Sequence, residues 1–390
     1  METQTTQGLA RVKEICQDRP RRAMELRDQG KKVMGYLCIY PVVEIMTALD
    51  LVPYRIFGDM RETVTKADKY LPSVVCPFLR SLLDLGLKGK YDFLDGVTFA
   101  HTCDVGAQFA GNWKINIRTP FSHFIDTPHT THEGAMDYHK GLLMDYKKAM
   151  ESYFDITISS ERLKKAIEMH NKQRSLVREL YDLKKPDPPL ISGGETLQVL
   201  IAIMSLPVEE GNTLLMEVIE EVKDRKDGPV KKSSRLLVWG SIIDDPALLE
   251  LIESFDANVV MDDTCVGSRA FFTDVALTED PLDGLAHHYL VDIKCPRTYK
   301  ESAHGETTID YMADLRNRFD YLGDFVRDYK VDGVILQALR YCDAHGYEVP
   351  GIKDYLESLG LQSIYIEHNY TEAAFGPLRT RIQGFLEIID

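Results

Sequence analysis

Seven cysteines stand in a chain of 390 residues, and three of them share a setting. Cys103 and Cys342 each follow an apolar run and precede Asp, and Cys76 follows LPSVV and precedes Pro77. All three read as residues at the C-terminal ends of strands, the rim where open α/β sheets bind ligands. Thiolates there can converge from distant segments on one point, and soft thiolates suit iron–sulfur clusters. Two plainer readings stand beside this one. Free cysteine is among the most buried residue types and often only packs. Structural zinc usually shows close pairs such as C-x₂-C, and no such pair occurs here.

Three further cysteines have a similar setting. Cys38 lies in the first strand-like run, Cys265 follows ANVVMDDT, and Cys295 follows YLVDIK and precedes Pro296. Six such thiols would serve one cluster with three packed thiols, or a larger cluster. Cys16 lies in a charged N-terminal helix and is incidental.

The elements that must position these residues follow an α/β pattern. After a charged helical stretch over 7–31, runs over 31–40, 52–57, 73–75 and 96–100 read as strands, with a helix over 42–49 opened by Pro41. Apolar residues at helical spacing make 159–184 the clearest helix, ended by the prolines of KKPDPP. The domain boundary is placed there, giving domains 1–187 and 188–390. Helical sequence over 194–226 leads into strands at 235–239, 258–261, 334–338 and 363–366, with helices near 352–359 and 377–389. Asp244 or Asp245, with Pro246, opens a helix after the first of these strands. FLDGVTFAHTCD (93–104) and KVDGVILQALRYCD (330–343) both read Asp-Gly-Val, apolar strand, Cys-Asp. This repeat supports two similar Rossmann/flavodoxin-like domains with parallel sheets.

The net charge of −15 argues against nucleic acid or an anionic membrane as partner. No apolar run approaches the ~20 residues of a membrane span. The N-terminal segment METQTTQGLARVKEICQDRPRR has no secretory pattern. A cytoplasmic chain is expected, without structural disulfides.

Several segments together resemble the benzoyl-CoA reductase/2-hydroxyacyl-CoA dehydratase family. They are GYLCIYPVVEIMTALDLVPYRIFG (35–58), VVCPFLRSLLD (74–84), HTCDVGAQFAGNWK (101–114), DDTCVGSRAFFTDVALTEDPLDGLAHHY (262–289), LRYCDAHGYEVP (339–350) and LRTRIQGFLEII (378–389). The resemblance implies a [4Fe–4S] cluster between the two domains, ligated by Cys76, Cys103 and Cys342. It implies an acyl-CoA thioester substrate, a homologous iron–sulfur partner subunit and an ATP-hydrolysing activator that delivers single electrons. One electron entering the thioester carbonyl would give a ketyl-type radical anion. A benzoyl-CoA reductase type ranks first. The alternatives are a 2-hydroxyacyl-CoA dehydratase subunit, a homodimeric reductase of small molecules with a double-cubane cluster, and a non-catalytic relay or scaffold subunit. In this frame His101 and His345 are the candidate proton donors. Asp104 and Asp343 accept backbone hydrogen bonds, and Glu44 caps its helix. Arg80, Lys114, Arg269, Arg379 and Arg381 are candidates by type for the CoA phosphates. A metal site at His129 and His132 is only weakly indicated.

Overall fold

The computed structural model describes residues 7–300 and 310–389. The first six residues of the segment read as non-secretory lie outside them. Among the described residues, eight strands form two four-stranded sheets. The first holds β1 (Val33–Tyr36), β2 (Val52–Arg55), β3 (Gly96–Ala100) and β4 (Phe121–Ile125), in the order β2-β1-β3-β4. The second holds β5 (Ser234–Gly240), β6 (Ala257–Asp263), β7 (Gly333–Leu339) and β8 (Gln362–His368), in the order β6-β5-β7-β8. All neighbours pair in parallel, and the two orders are the same.

The inner strands are buried at every position, as in RLLVWG and GVILQAL. Parallel strands covered by helices on both faces must be apolar throughout, which is why they are legible as continuous runs. The Asp-Gly-Val repeat has a physical meaning. Asp95 accepts the Val33 N–H at 2.9 Å, and Asp332 accepts the Arg235 N–H at 2.8 Å. In each sheet the aspartate before the third strand therefore fixes its register against the first.

Several elements differ from expectation. Residues 73–75 form a turn, not a strand, so Cys76 begins a helix (Pro77–Leu87) instead of ending a strand. The Pro at its first position sets that start. Strand β4 carries Ser122 and His123 at a partly exposed edge, and its mixed composition hides it. The segment before Cys295 is helical, Pro281–His287 continuing into His288–Asp292.

Glu44 is no simple helix cap. It is fully buried in the short helix Val43–Ala48, against the long helix Ser160–Asp182. Arg174 of the long helix pairs with Oε1, and the Tyr289 hydroxyl donates to Oε2 at 2.7 Å. Burial alone would push this carboxyl up. The Arg174 guanidinium outweighs it and holds Glu44 down at about 2. The pair therefore contributes stability that is full above the ordinary value of 4.5 and is lost as pH falls toward 2. Arg174→Met leaves the Glu44 charge buried alone. It should lower unfolding stability by about 3–5 kcal/mol in urea titrations at pH 7, with Glu44→Gln on the same chain restoring part of the loss.

Candidate functional site

Both sheets turn their C-terminal edges toward one cavity of about 500 Å³. Leu37 and Cys38 follow β1, Thr102 and Cys103 follow β3, Ser241 and Ile242 follow β5, and Cys342 follows β7. All of them line this space. With the order 2-1-3-4 in each sheet, the gap between first and third strands is the topological switch point, where loops diverge and leave a crevice. Here two switch points face each other. The volume lies within the ~300–1,000 Å³ usual for small-molecule and cofactor sites.

Six of the seven cysteines line it: Cys38, Cys76, Cys103, Cys265, Cys295 and Cys342. All are free thiols, and each half of the chain supplies three. The three thiols singled out from the sequence are brought together. Cys76 and Cys103 lie close enough for Cys103 to raise the Cys76 pKa, and Cys342 responds to both. Cys38, Cys265 and Cys295 form a second, deeper group that interacts in the same way.

The two groups meet different electrostatics. Cys76 and Cys103 sit at the N-caps of the helices Pro77–Leu87 and Asp104–Asn116. The Gly106 N–H donates to Cys103 Sγ at 3.3 Å. A Cβ on Gly106 would meet the Thr102 hydroxyl, which would have to move. The N–H groups of Phe78 and Leu79 point toward the Cys76 sulfur. Positive helix ends favour thiolate over thiol. Burial still dominates, pushing Cys76 up to about 12 and raising Cys103 and Cys342 as well.

His345 is buried beside Cys342. Arg269 Nη1 donates to its Nε2 at 3.0 Å, so the ring proton is on Nδ1, 3.3 Å from Cys342 Sγ. Burial and then Arg269 hold this imidazole well below 6.5, hence neutral. His101 lies outside the lining. Its Nδ1 meets Asp126 at 2.7 Å and its ring meets His129 edge to face with centroids 4.5 Å apart, and it is His129 that lines the cavity. His132 instead caps the helix Glu133–Phe154 by accepting the Ala135 N–H at 3.0 Å.

The DDTCVGSR segment is a buried polar turn that aims Cys265. Arg269 grips Asp263 at 3.1 and 3.0 Å, and Tyr321 donates to the same carboxylate at 2.8 Å. Arg269 is thus committed to an internal ion pair, not exposed to a phosphate. The other cationic candidates lie elsewhere. Arg80 pairs with Asp68, Lys114 is exposed, Arg379 covers Phe255 and Arg381 donates to the Tyr365 carbonyl. Cys38 accommodates a φ of 72°, as does Tyr341 beside Cys342 at 64°. Left-handed backbone at non-glycine residues costs about 1–3 kcal/mol each and persists where the surroundings over-determine it. In the deep group the Cys38 S–H donates to Cys265. That bond, with Arg269 and Arg55, outweighs burial and lowers the Cys265 thiol, while the same bond and burial together raise Cys38 against the pull of Arg55. Arg55, Arg297, Tyr40 and His129 complete the lining, and sequence patterns do not single them out for it. An arginine ending the buried strand VPYR is the visible sign for the first of them.

Among the described residues no three His, Cys, Asp or Glu side chains close on a single metal ion. One ion would need every sulfur within about 2.3 Å of a common point. A polynuclear cluster spreads its ligands over separate iron corners. The donor chemistry, three thiols around each end of one cavity, fits iron–sulfur ligation. His345→Leu removes the acceptor of a buried Arg269 donor. The iron-free protein should lose about 1–3 kcal/mol of unfolding stability in denaturant titrations.

The family described as 2-hydroxyglutaryl-CoA dehydratase, D-component, matches residues 38–389. A subunit of the benzoyl-CoA reductase of Thauera aromatica is 25% identical, covering 93% of this chain and 92% of its own length. The (R)-phenyllactyl-CoA dehydratase beta subunit of Clostridium sporogenes is 24% identical, covering 97% of each chain. The lactoyl-CoA dehydratase beta subunit of Anaerotignum propionicum is 25% identical, covering 98% of each.

Proposed function

The chain belongs to the 2-hydroxyglutaryl-CoA dehydratase D-component family of enzyme subunits, and from that premise we propose an iron–sulfur reductase whose six cavity thiols hold a double-cubane cluster. The single observation that carries this reading is the presence of Cys38, Cys76, Cys103, Cys265, Cys295 and Cys342 on one cavity. It moves the double-cubane alternative ahead of the single-cluster benzoyl-CoA reductase type. The division of labour follows the proposed domains 1–187 and 188–390, each contributing three thiols.

When bound, such a cluster supplies low-potential electrons one at a time to a reducible small molecule. The chain's own residues do the rest. Phe78, Leu79, Ile242 and Leu339 keep water from the cavity. His345 donates Nδ1–H to Cys342 and fixes that ligand's orientation. His129, kept neutral by burial and by Arg297, stands in the lining with His101 and Asp126 behind it. This row is the proposed proton path, with His101 acting through His129. The electron source is an ATP-hydrolysing activator, and the compartment is the reducing cytoplasm.

A second reading is favoured by the position of Cys76 and Cys103 at helix N-caps and of Cys342 against His345. It places a single [4Fe–4S] cluster on these three, in a hetero-oligomer with a homologous subunit acting on an acyl-CoA. That substrate is reduced as by a benzoyl-CoA reductase, or dehydrated as by a 2-hydroxyacyl-CoA dehydratase. Anaerobic reconstitution separates the two readings. The double cluster requires about eight irons per chain, falling by about half in Cys265→Ala and in Cys103→Ala. About four irons, unchanged by Cys265→Ala or Cys295→Ala but lost with Cys103→Ala, would support the single cluster instead. Turnover of benzoyl-CoA against a 2-hydroxyacyl-CoA then assigns its reaction.

A further inference from the structure

The deep end of the cavity holds a cation with nothing to pair with. Arg55 ends β2, lines the six-thiol space and is 1% exposed. Its Nε and Nη2 are buried without a hydrogen-bond acceptor, and among the described residues it makes no ion pair. Its guanidinium has ring contacts with Tyr36 at 5.9 Å and Phe57 at 5.5 Å, which hold it in place without accepting its N–H groups. Arg19, whose Nη2 donates to the Arg55 carbonyl at 3.3 Å, adds a second positive charge nearby, not a counter-charge. Arg269 differs, because Asp263 already neutralises it. A lone buried guanidinium is strongly unfavourable unless an anion reaches it.

We infer that Arg55 is the positioning residue for an anionic metal–sulfur group held at Cys38, Cys265 and Cys295. It donates Nε–H and Nη2–H to that group's sulfur, and makes this end of the cavity the more easily reduced one. The inference rests on the double-cluster reading. Reduction adds one electron from an external low-potential donor and breaks no bond, so each step adds one negative charge. A full cation in a buried site favours the reduced state, and N–H donors to sulfur act in the same direction. The end at Cys76, Cys103 and Cys342 meets N–H dipoles, the neutral His345 and the carboxylate of Asp104, which disfavours added negative charge. Electrons passing through the site therefore collect at the Arg55 end.

The test uses the full chain with Arg55→Met and Arg55→Lys. In the iron-free protein, Arg55→Met removes an unpaired charge and should unfold at a higher temperature than wild type. A lower unfolding temperature would mean that Arg55 serves packing and would overturn the assignment. In the reconstituted protein, redox titration followed by electron paramagnetic resonance should show one of two couples falling. The expected fall is at least tenfold in its reduction constant, about 59 mV for a one-electron couple. The other couple stays in place, and Arg55→Lys recovers most of the change. About eight irons with both couples unmoved overturns the role of Arg55 alone. About four irons in the wild type overturns the double-cluster reading and this assignment with it.

Discussion

Thiolates gather in a protein interior only where positive charge or N–H groups meet them. This constraint organises the molecule. The C-terminal edges of two parallel sheets supply loops that lead into helix N-termini. Cys76 and Cys103 occupy two of those caps, where main-chain N–H groups point at sulfur. Where the fold has no helix to offer, guanidinium groups take over. Arg55 and Arg269 stand at the deep thiols, and Arg269 is itself locked to Asp263. Of the six thiols only Cys265 is lowered, and burial holds the other five protonated, so they would ionise when a metal brings its own charge.

The same frame explains how rigid supports reach a site built from loops. Asp95 and Asp332 hold the third strand of each sheet against the first, fixing where Cys103 and Cys342 emerge. The buried Glu44–Arg174–Tyr289 group ties the segment after Cys38 to the long helix and to the helical segment that leads to Cys295. Cooperation between halves is built in, since each end of the cavity takes thiols from both. The family match over 38–389 spans all six of these cysteines.

Much of this is legible in the sequence, and the departures have physical causes. Fully buried parallel strands read as apolar runs, so seven of the eight strands show at nearly their observed places, although β1 is shorter than its run. The repeat is visible because the same aspartate does the same job twice. Strand β4, at a polar edge, leaves no such mark. The run before Cys76 misleads because Val-Val in a turn looks like Val-Val in a strand. The run YLVDIK misleads because an apolar segment this short fits either structure. Glu44 looks like a cap because its partner lies 130 residues away, which spacing along a helix cannot reveal. The six thiols and their division into two sets of three are legible in the sequence, but the parts that Arg55, Arg269 and His345 play beside them exist only in three dimensions.

The most direct measurement is an anomalous difference map at the iron edge from anaerobically grown crystals of the reconstituted chain. A double cluster requires iron density filling the cavity from Cys76, Cys103 and Cys342 through to Cys38, Cys265 and Cys295. Iron confined to the first three, or bound elsewhere in the chain, would contradict it.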